Sequence, residues 1–220
     1  MRASELLSSD FPALRPEDSL EKAINIFHDH CICHVPVVSQ NSLEGLLPVD
    51  LLLGIPDHGK LISDFKSDFI YAYVHPDQHG LDVFEVMARQ GLSAVAVLDE
   101  QQHYIGTVSM NKLVTILSGF YSFKKTGGII VIKVGMRDYD LSEISRIVES
   151  NNAKILILYL DADEENASYH ITIKLDTIDL SHILATFERF QYEVEYSHPS
   201  SIQKDQIQDR YDFLMKMFDI

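Results

Sequence analysis

The same short apolar segment occurs twice in this chain, sixty residues apart. Residues His34–Val38 and Ala94–Leu98 are uncharged, rich in β-branched side chains and without polar alternation, which predicts two buried strands. A helix-like segment precedes each strand, and a Gly-led apolar segment follows it. An internal repeat constrains the fold strongly, because both copies must form the same unit. We therefore expect residues 1–60 and 61–120 to be two copies of one module.

Each copy is predicted to fold in the order β-α-β-β-α, opening with a helical turn at Ser4–Leu7 or Ser63–Phe65. Pro16 and Pro76, each followed by acidic residues, indicate helix starts, because proline presets φ and acids favour the positive end of the helix dipole. An apolar stripe follows each proline at helical spacing. The stripes consist of Leu20, Ala23, Ile24 and Phe27 in the first copy and of Leu81, Val83, Phe84, Met87 and Ala88 in the second.

The composition excludes several classes of partner and location. A net charge of −15 argues against nucleic acid or an anionic membrane as the main partner, since both require clustered basic residues. Cys31 and Cys33 are too close in sequence for a disulfide between them to stabilise the fold, so we expect a reducing compartment. There is no apolar run near 18 residues and no signal-peptide core after Met1. We therefore expect a cytoplasmic protein without a membrane span.

The doubled arrangement resembles a pair of CBS domains, a family named after cystathionine β-synthase. The resemblance covers residues 1–120 and rests on the strand His34–Val38, the Gly-led strand after it and the constant spacing of the two copies. It implies a pair of modules with clefts between the repeats. In many members those clefts bind adenosine nucleotides or S-adenosylmethionine, and the modules regulate another activity.

The family's nucleotide signature is a Gly, two apolar residues, a Ser or Thr, two further residues and an Asp. In the first copy Pro48 replaces the hydroxyl and Asp50 comes one place early. The second copy keeps the hydroxyl in Ser109, with Asn111 next to Lys112, which occupies the acid position. A lysine can meet a phosphate and a carboxylate can accept from ribose hydroxyls, so these residues are the candidate nucleotide site. The alternative is that they only start a helix.

Five residues of metal-ligand type lie close together, but their spacing does not favour a metal site. A structural zinc site needs a second ligand pair, and the sequence offers no matching one. Two of the histidines are two residues apart and cannot share a helix face. We therefore predict a helix C-terminus followed by two small core residues, with no bound metal. The five are His28, His30, Cys31, Cys33 and His34.

Residues 129–198 are predicted to form a second domain, after a Gly-containing flexible linker at 121–128. Four strands and two helices follow in the order βαββαβ, which is the ferredoxin-like arrangement. The predicted strands are Ile129–Val134, Lys154–Leu160, Tyr169–Leu175 and Glu193–Tyr196, with a charged hairpin turn at Asp161–Asn166 and helices after Asp140 and Asp179.

This second domain resembles an ACT domain, a regulatory module that usually pairs with another copy. ACT modules that bind amino acids commonly carry a Gly turn after the first strand, and Arg137–Leu141 stands there instead, so we do not expect an amino-acid ligand. The strand Lys154–Leu160 is apolar on both sides. It is either covered by another part of the chain or forms a contact between two chains, and we favour a homodimer or a higher homo-oligomer.

Residues 199–220 are predicted to form an amphipathic helix that packs on its own domain or docks on a partner. The whole layout, mixed α/β (α+β), resembles the acetoin-utilisation AcuB-type regulatory proteins. The sequence carries no P-loop, dinucleotide fingerprint or nucleophile elbow, so we expect no enzyme. The predicted function is regulation, with AMP, ATP or S-adenosylmethionine as the effector. The alternative is a structural or adaptor module that assembles without a small-molecule ligand.

Overall fold

Residues Met1–Ser118 and Gly119–Ile220 form two separate units in the structure of this chain, a computed structural model. The structure describes residues 1–8, 12–30, 32–52, 55, 57 and 59–198. Cys31 and the predicted C-terminal helix at 199–220 therefore lie outside the described residues. None of the helices in the described ranges combines the length and the apolar character needed to cross a membrane.

The second copy in the first unit has the predicted order β-α-β-β-α, and the first copy repeats it with a single bridge in place of the first strand and a 3-10 helix in place of the last helix. The helices and strands of the unit are α1 (Leu20–His30), β1 (His34–Ser39), β2 (Ser42–Pro48), β3 (Tyr73–Val74), α2 (Gly80–Gln90), β4 (Ala94–Leu98), β5 (Tyr104–Ser109) and α3 (Met110–Gly119). Short 3-10 helices lie at Ala3–Glu5, Val49–Leu52 and Ile62–Asp68. The predicted first strand of the first copy is reduced to one parallel bridge between Leu14 and Val37.

The two central hairpins have the same strand pairing and the same bulge position. β1 pairs antiparallel with β2 and β4 pairs antiparallel with β5, and β3 adds a parallel strand to β4. A bulge follows Val37 in one hairpin and Val97 in the other, which are equivalent positions of the repeat. β4 is fully buried along its length, as its uncharged sequence predicts.

Each opening segment packs on the other copy of the repeat. The Ala3 N–H donates to the Gln78 carbonyl at 2.9 Å, within the second copy. The Ile62 N–H donates to the Asp18 carbonyl at 2.9 Å, within the first. Ala3 is buried in the core of the second copy, and Ile62 in the core of the first. Sequence spacing identified both turns but carries no information about which core they enter.

Two glycines mark the points where the exchanged segments cross the hairpins. A Cβ added to Gly45 would lie 2.7 Å from the Cβ of Phe69, and one added to Gly106 would lie 2.8 Å from a methyl carbon of Leu7. Both distances are shorter than van der Waals contact allows. Phe69 Cβ is fixed to the backbone, so only a residue without a Cβ permits the approach at Gly45, whereas the end of the Leu7 side chain can move away from Gly106.

The second unit is a four-stranded antiparallel sheet with two principal helices, which confirms the predicted βαββαβ order. The sheet order is β7-β8-β6-β9, the ferredoxin-like arrangement. A short helix, α4, lies within the predicted linker. The elements are α4 (Tyr121–Lys124), β6 (Ile129–Gly135), α5 (Leu141–Ser150), β7 (Ile155–Asp163), β8 (Ser168–Leu175), α6 (Ser181–Arg189) and β9 (Glu193–His198).

The core of this unit lies on one face of the sheet, where α5 and α6 contribute residues such as Ile144 and Phe187. β7 has no buried residue, although its sequence is apolar on both sides. Tyr159 is 55% exposed and Leu160 is 41% exposed, so this chain alone does not cover β7. β7 and β8 also extend further than predicted, which confines the hairpin turn to residues 164–167.

The glycine pair at 127–128 is held in place rather than free to bend. The Gly128 N–H donates to the Thr177 carbonyl at 2.7 Å, and its carbonyl accepts from the Leu175 N–H at 2.9 Å. A Cβ on Gly127 would lie 1.7 Å from the Leu175 carbonyl oxygen. These glycines serve close backbone packing, and the prediction of a flexible joint here does not describe them.

Candidate functional site

The four predicted site residues lie at two equivalent junctions, where the second hairpin strand of each copy passes into a helical turn. β2 leads into the 3-10 helix at Val49–Leu52, which carries Asp50. β5 ends at Ser109 and leads directly into α3, whose first turn carries Asn111 and Lys112. The repeat therefore places both sets of candidate ligand contacts at the same position of each module.

Ser109 acts as a helix cap in this structure. Its hydroxyl oxygen accepts a hydrogen bond from the Lys112 N–H at 3.2 Å, which satisfies one of the free donors at the start of α3. The residue is only 1% exposed. This geometry favours the alternative prediction that Ser109 starts a helix. Asn111 is exposed, Lys112 is partly exposed and Asp50 is exposed, so these three side chains remain accessible to a ligand.

The two junctions meet at a joint between the copies that consists of Cys33, His34 and Ser93. The Cys33 N–H donates to the Ser93 hydroxyl at 2.9 Å, and the Ser93 N–H donates to His34 Nδ1 at 3.2 Å. The Cys33 carbonyl accepts from the Val49 N–H, and the Ser93 carbonyl accepts from the Met110 N–H, both at 2.9 Å. Each junction is thereby anchored to one side of the same joint.

His34 holds this joint as a neutral ring. Nδ1 can accept the Ser93 N–H only when it carries no proton. Burial lowers the pKa of His34, and the negative charge of Asp50 acts in the opposite direction as the smaller effect. Asp50 is therefore within electrostatic reach of the joint, which links this candidate site residue to the contact between the copies.

Sequence reasoning did not include Ser93 among the candidate residues. The available signal was the repeat itself, because Ser93 occupies the position in the second copy that Cys33 occupies in the first. The difference between a serine and a cysteine at equivalent positions makes the joint asymmetric, since the hydroxyl of Ser93 accepts the Cys33 N–H across the pair.

Two further features of the described residues bear on ligands. A cavity of about 610 Å³ lies between the turn after β3 and the β4–β5 turn, and none of the four candidate residues lines it. Its lining includes Asp77, Asp99 and Glu100. Across the described ranges, which leave out Cys31, no group of three or more His, Cys, Asp or Glu side chains is arranged to hold a metal ion.

Comparison with known proteins identifies relatives for the first unit. The family model for the CBS domain matches residues 3–54 and 62–119, which together are half of the chain. An uncharacterized protein of Methanocaldococcus jannaschii is 23% identical over 109 residues. The match covers 50% of this chain and 41% of that relative, so the chain spans less than half of its length.

Two solved structures are similar over about half of this chain. A CBS domain pair/ACT domain protein from Thermotoga maritima is 16% identical, with a TM-score of 0.48, covering 54% of this chain and 98% of that one. The cytosolic domain of the Mg²⁺ channel MgtE, in complex with ATP, is 20% identical, with a TM-score of 0.43, covering 52% of this chain and 48% of that one.

Proposed function

This chain belongs to the CBS domain family, and on that premise we propose that it is a non-catalytic regulatory protein that senses an adenosine-type nucleotide. The observation that carries the proposal is the joint between the copies. Both candidate ligand junctions are anchored to it, one through Cys33 and the other through Ser93. A ligand that contacts either junction is therefore positioned to act on the contact between the modules.

The proposed ligand contacts are Asn111 and Lys112 in the second copy and Asp50 in the first, beside the capping hydroxyl of Ser109. Lys112 supplies a cation for a phosphate group where the family signature has an acid. Asp50 supplies an exposed carboxylate that can accept from ribose hydroxyls. AMP and ATP fit this pair better than S-adenosylmethionine, because S-adenosylmethionine carries no phosphate for Lys112 to meet.

Regulation requires that the nucleotide bind two states of the protein with different affinity. We propose that the two states differ in the joint at His34 and Ser93 and that the readout is assembly or the activity of a protein partner. The proposed domains are the CBS repeats at 1–60 and 61–120, a linker at 121–128 and an ACT-like domain at 129–198. This proposed layout resembles that of the acetoin-utilisation AcuB-type regulators.

Isothermal titration of the full chain with AMP, ATP and S-adenosylmethionine tests the proposal. We expect AMP or ATP to bind, and Lys112→Ala to weaken binding about tenfold or more, because a charge-assisted contact to phosphate is lost. Lys60→Ala is the matched control, since Lys60 is an exposed lysine of the same unit and lies outside the candidate site. Flat titrations with all three compounds would contradict the nucleotide proposal.

The second candidate function is a structural or adaptor module that assembles without a small molecule. The buried, capping hydroxyl of Ser109 favours it, because that group is already used by the fold. Mass spectrometry of the purified protein separates the two functions. A retained adenosine nucleotide supports sensing, whereas a dimer without ligand and without titration heat supports the adaptor.

The proposed location is the cytoplasm. Cys33 carries a free thiol and is exposed, which fits a reducing compartment better than an oxidising one. Fractionation of cells that produce the protein, followed by immunoblotting, tests the location. Recovery from an oxidising compartment would contradict it.

A further inference from the structure

A polar cavity of about 510 Å³ lies at one end of the sheet in the second unit. It is formed where the end of β6, the β7–β8 hairpin and the start of β9 come together. We call it the hairpin cavity. Its ionisable lining consists of Lys133, Asp138, Glu143, Tyr192 and Glu193, and Ser168 also lines it.

The buried hydroxyl of Ser168 suggests that the cavity holds a ligand. The residue is 4% exposed, and its hydroxyl oxygen has no hydrogen-bond partner within the described chain. Burying a hydroxyl without a partner is unfavourable, so such a group in a native fold needs an explanation. A bound molecule that donates a hydrogen bond to this oxygen would supply one.

The carboxylate of Glu143 already interacts with two other side chains of the protein. The Tyr192 hydroxyl donates to its Oε2 at 3.0 Å, and Arg146 Nη2 lies 3.3 Å from its Oε1. Burial, followed by the interaction with Glu143, raises the pKa of Tyr192 to about 12, so the phenol stays a donor at neutral pH. The negative charge of Glu143 is thus shared with groups of the fold and is not the main attraction for a ligand.

Asp138 and Glu193 are not compensated in this way. Over the described residues, neither carboxylate forms a salt bridge with a Lys, Arg or His side chain. Lys133 lies opposite Glu193 in the β6–β9 register, and its charge also acts on Asp163 and His170. The cavity lining therefore carries three carboxylates against one ammonium group.

The backbone turn around Asp138 fixes the position of its carboxylate. The Asp138 N–H donates to the Gly135 carbonyl at 2.9 Å, which forms a tight turn at the end of β6. A Cβ on Gly135 would lie 2.6 Å from Asp138 Oδ2. The glycine therefore leaves room for the carboxylate to fold back over the end of the strand, beside the cavity.

We propose that the hairpin cavity binds an organic cation with a primary ammonium group and no carboxylate. An ammonium group has three N–H donors, and the cavity offers three acceptors in Ser168, Asp138 and Glu193. An amino acid would bring a carboxylate into a lining that is already negative. A metal ion is disfavoured, because no three His, Cys, Asp or Glu side chains among the described residues, the three carboxylates of this cavity included, are arranged to hold one.

Isothermal titration of the full chain with 1,4-diaminobutane at 150 mM NaCl tests this site, where the salt screens non-specific attraction to the acidic protein. We expect binding by the diamine, none by 1,4-butanediol, which has no ammonium group, and none by 4-aminobutyrate, which carries a carboxylate. Ser168→Ala removes a hydrogen-bond acceptor, and Glu193→Gln removes a negative charge that attracts the ammonium group, so each is expected to weaken diamine binding about tenfold or more.

Glu165→Gln is the matched control, since it removes the same charge from the exposed β7–β8 turn without altering the cavity. Thermal unfolding of Ser168→Ala shows whether the variant is folded, and we expect no loss of stability because the removed hydroxyl has no partner. Absence of diamine binding would overturn the proposal. Equal binding by the diol or the amino acid, or equal weakening by Glu165→Gln, would overturn it as well.

Discussion

His34 connects the two repeats through one ring nitrogen, so its protonation state matters for the whole first unit. Its Nδ1 accepts from the Ser93 N–H, and burial lowers its pKa below that of a free histidine. In the unfolded chain the ring has its ordinary pKa of about 6.5. At a pH below that value the unfolded chain binds the proton more readily than the folded one, so acid favours unfolding.

The lowered pKa of His34 gives a first prediction about how stability depends on pH. In urea unfolding of the full chain, His34 should lower stability as pH decreases from about 7.5 to about 5.5, whereas His170, whose pKa is raised by Glu195, acts in the opposite direction. His34→Gln should remove part of that dependence, whereas His182→Gln, in the exposed first turn of α6, should leave it intact. An identical pH dependence in wild type and His34→Gln would contradict the role given to this ring.

The two crossing glycines give a second prediction at the same scale. Gly45→Ala should destabilise the protein by about 1–3 kcal/mol, because the new Cβ meets the Cβ of Phe69, which is fixed to the backbone. Gly106→Ala should cost less, because the opposing atom is the end of the flexible Leu7 side chain.

Chemical denaturation measures both values. Gly119→Ala is the control, since nothing lies within 4 Å of the position its Cβ would take. Equal costs at Gly45 and Gly106 would show that the opposing atoms do not set the penalty.

At the scale of elements, the exchange of opening segments makes each core depend on residues from the other side of the repeat boundary. Ile62 is fully buried among residues of the first copy, such as Leu14 and Leu20. Ile62→Ala should therefore cost about 2–4 kcal/mol, in the range of large-to-small core substitutions. Its neighbour Leu61 is 43% exposed, and Leu61→Ala is the matched control with a much smaller effect.

Amide hydrogen exchange locates that effect. Loss of protection in Ile62→Ala should come first in β1 and β2, at positions such as Val35 and Leu47, and later in β4. Earlier loss in β4 would mean that the segment supports the second copy instead.

The order and type of the elements were predictable because they depend on local spacing. The uncharged runs at β1 and β4 predicted buried strands, and Asp140 predicted a cap that the structure shows accepting from the Ser142 N–H at 2.8 Å. The exchange was not predictable, because a buried Ile62 has the same sequence signature in either core. β7 was predicted as an apolar strand, but which of its sides this chain covers depends on neighbours remote in sequence.

The candidate site was predictable only in part, for a related reason. The repeat located the junctions at Asp50 and Ser109, since the family signature lies at fixed spacing from the Gly. The pairing of His34 with Ser93 joins residues 59 positions apart, and no local pattern marks it. The capping role of Ser109 depends on where α3 begins, and element boundaries are the least certain part of a sequence prediction.

At the scale of the whole molecule, the exposed side chains of β7 favour assembly. Tyr159 and Leu160 expose large apolar surface on a long edge strand, which is an arrangement that proteins usually cover. We expect light scattering to give a dimer of about twice the 25.0 kDa chain. Leu160→Lys should shift it toward the monomer, because a charge would be placed in the contact.

Ile178→Lys is the matched control for the dimer, since Ile178 is similarly exposed at 42% but lies in the loop before α6. A monomer for the wild type at micromolar concentration would contradict the expected assembly. A dimer that both variants disrupt equally would place the contact somewhere other than β7.

The exchange of opening segments also affects whether one repeat can be inherited without the other. A cut in the gene near residue 60 would leave the first repeat without Ile62 and the second without Ala3, so each fragment would lack a piece of its own interior. A duplication, deletion or domain swap that moves one repeat by itself would leave unfilled space in the core of each repeat. We therefore expect the two repeats to be inherited together as one unit, although their sequences are those of separate copies.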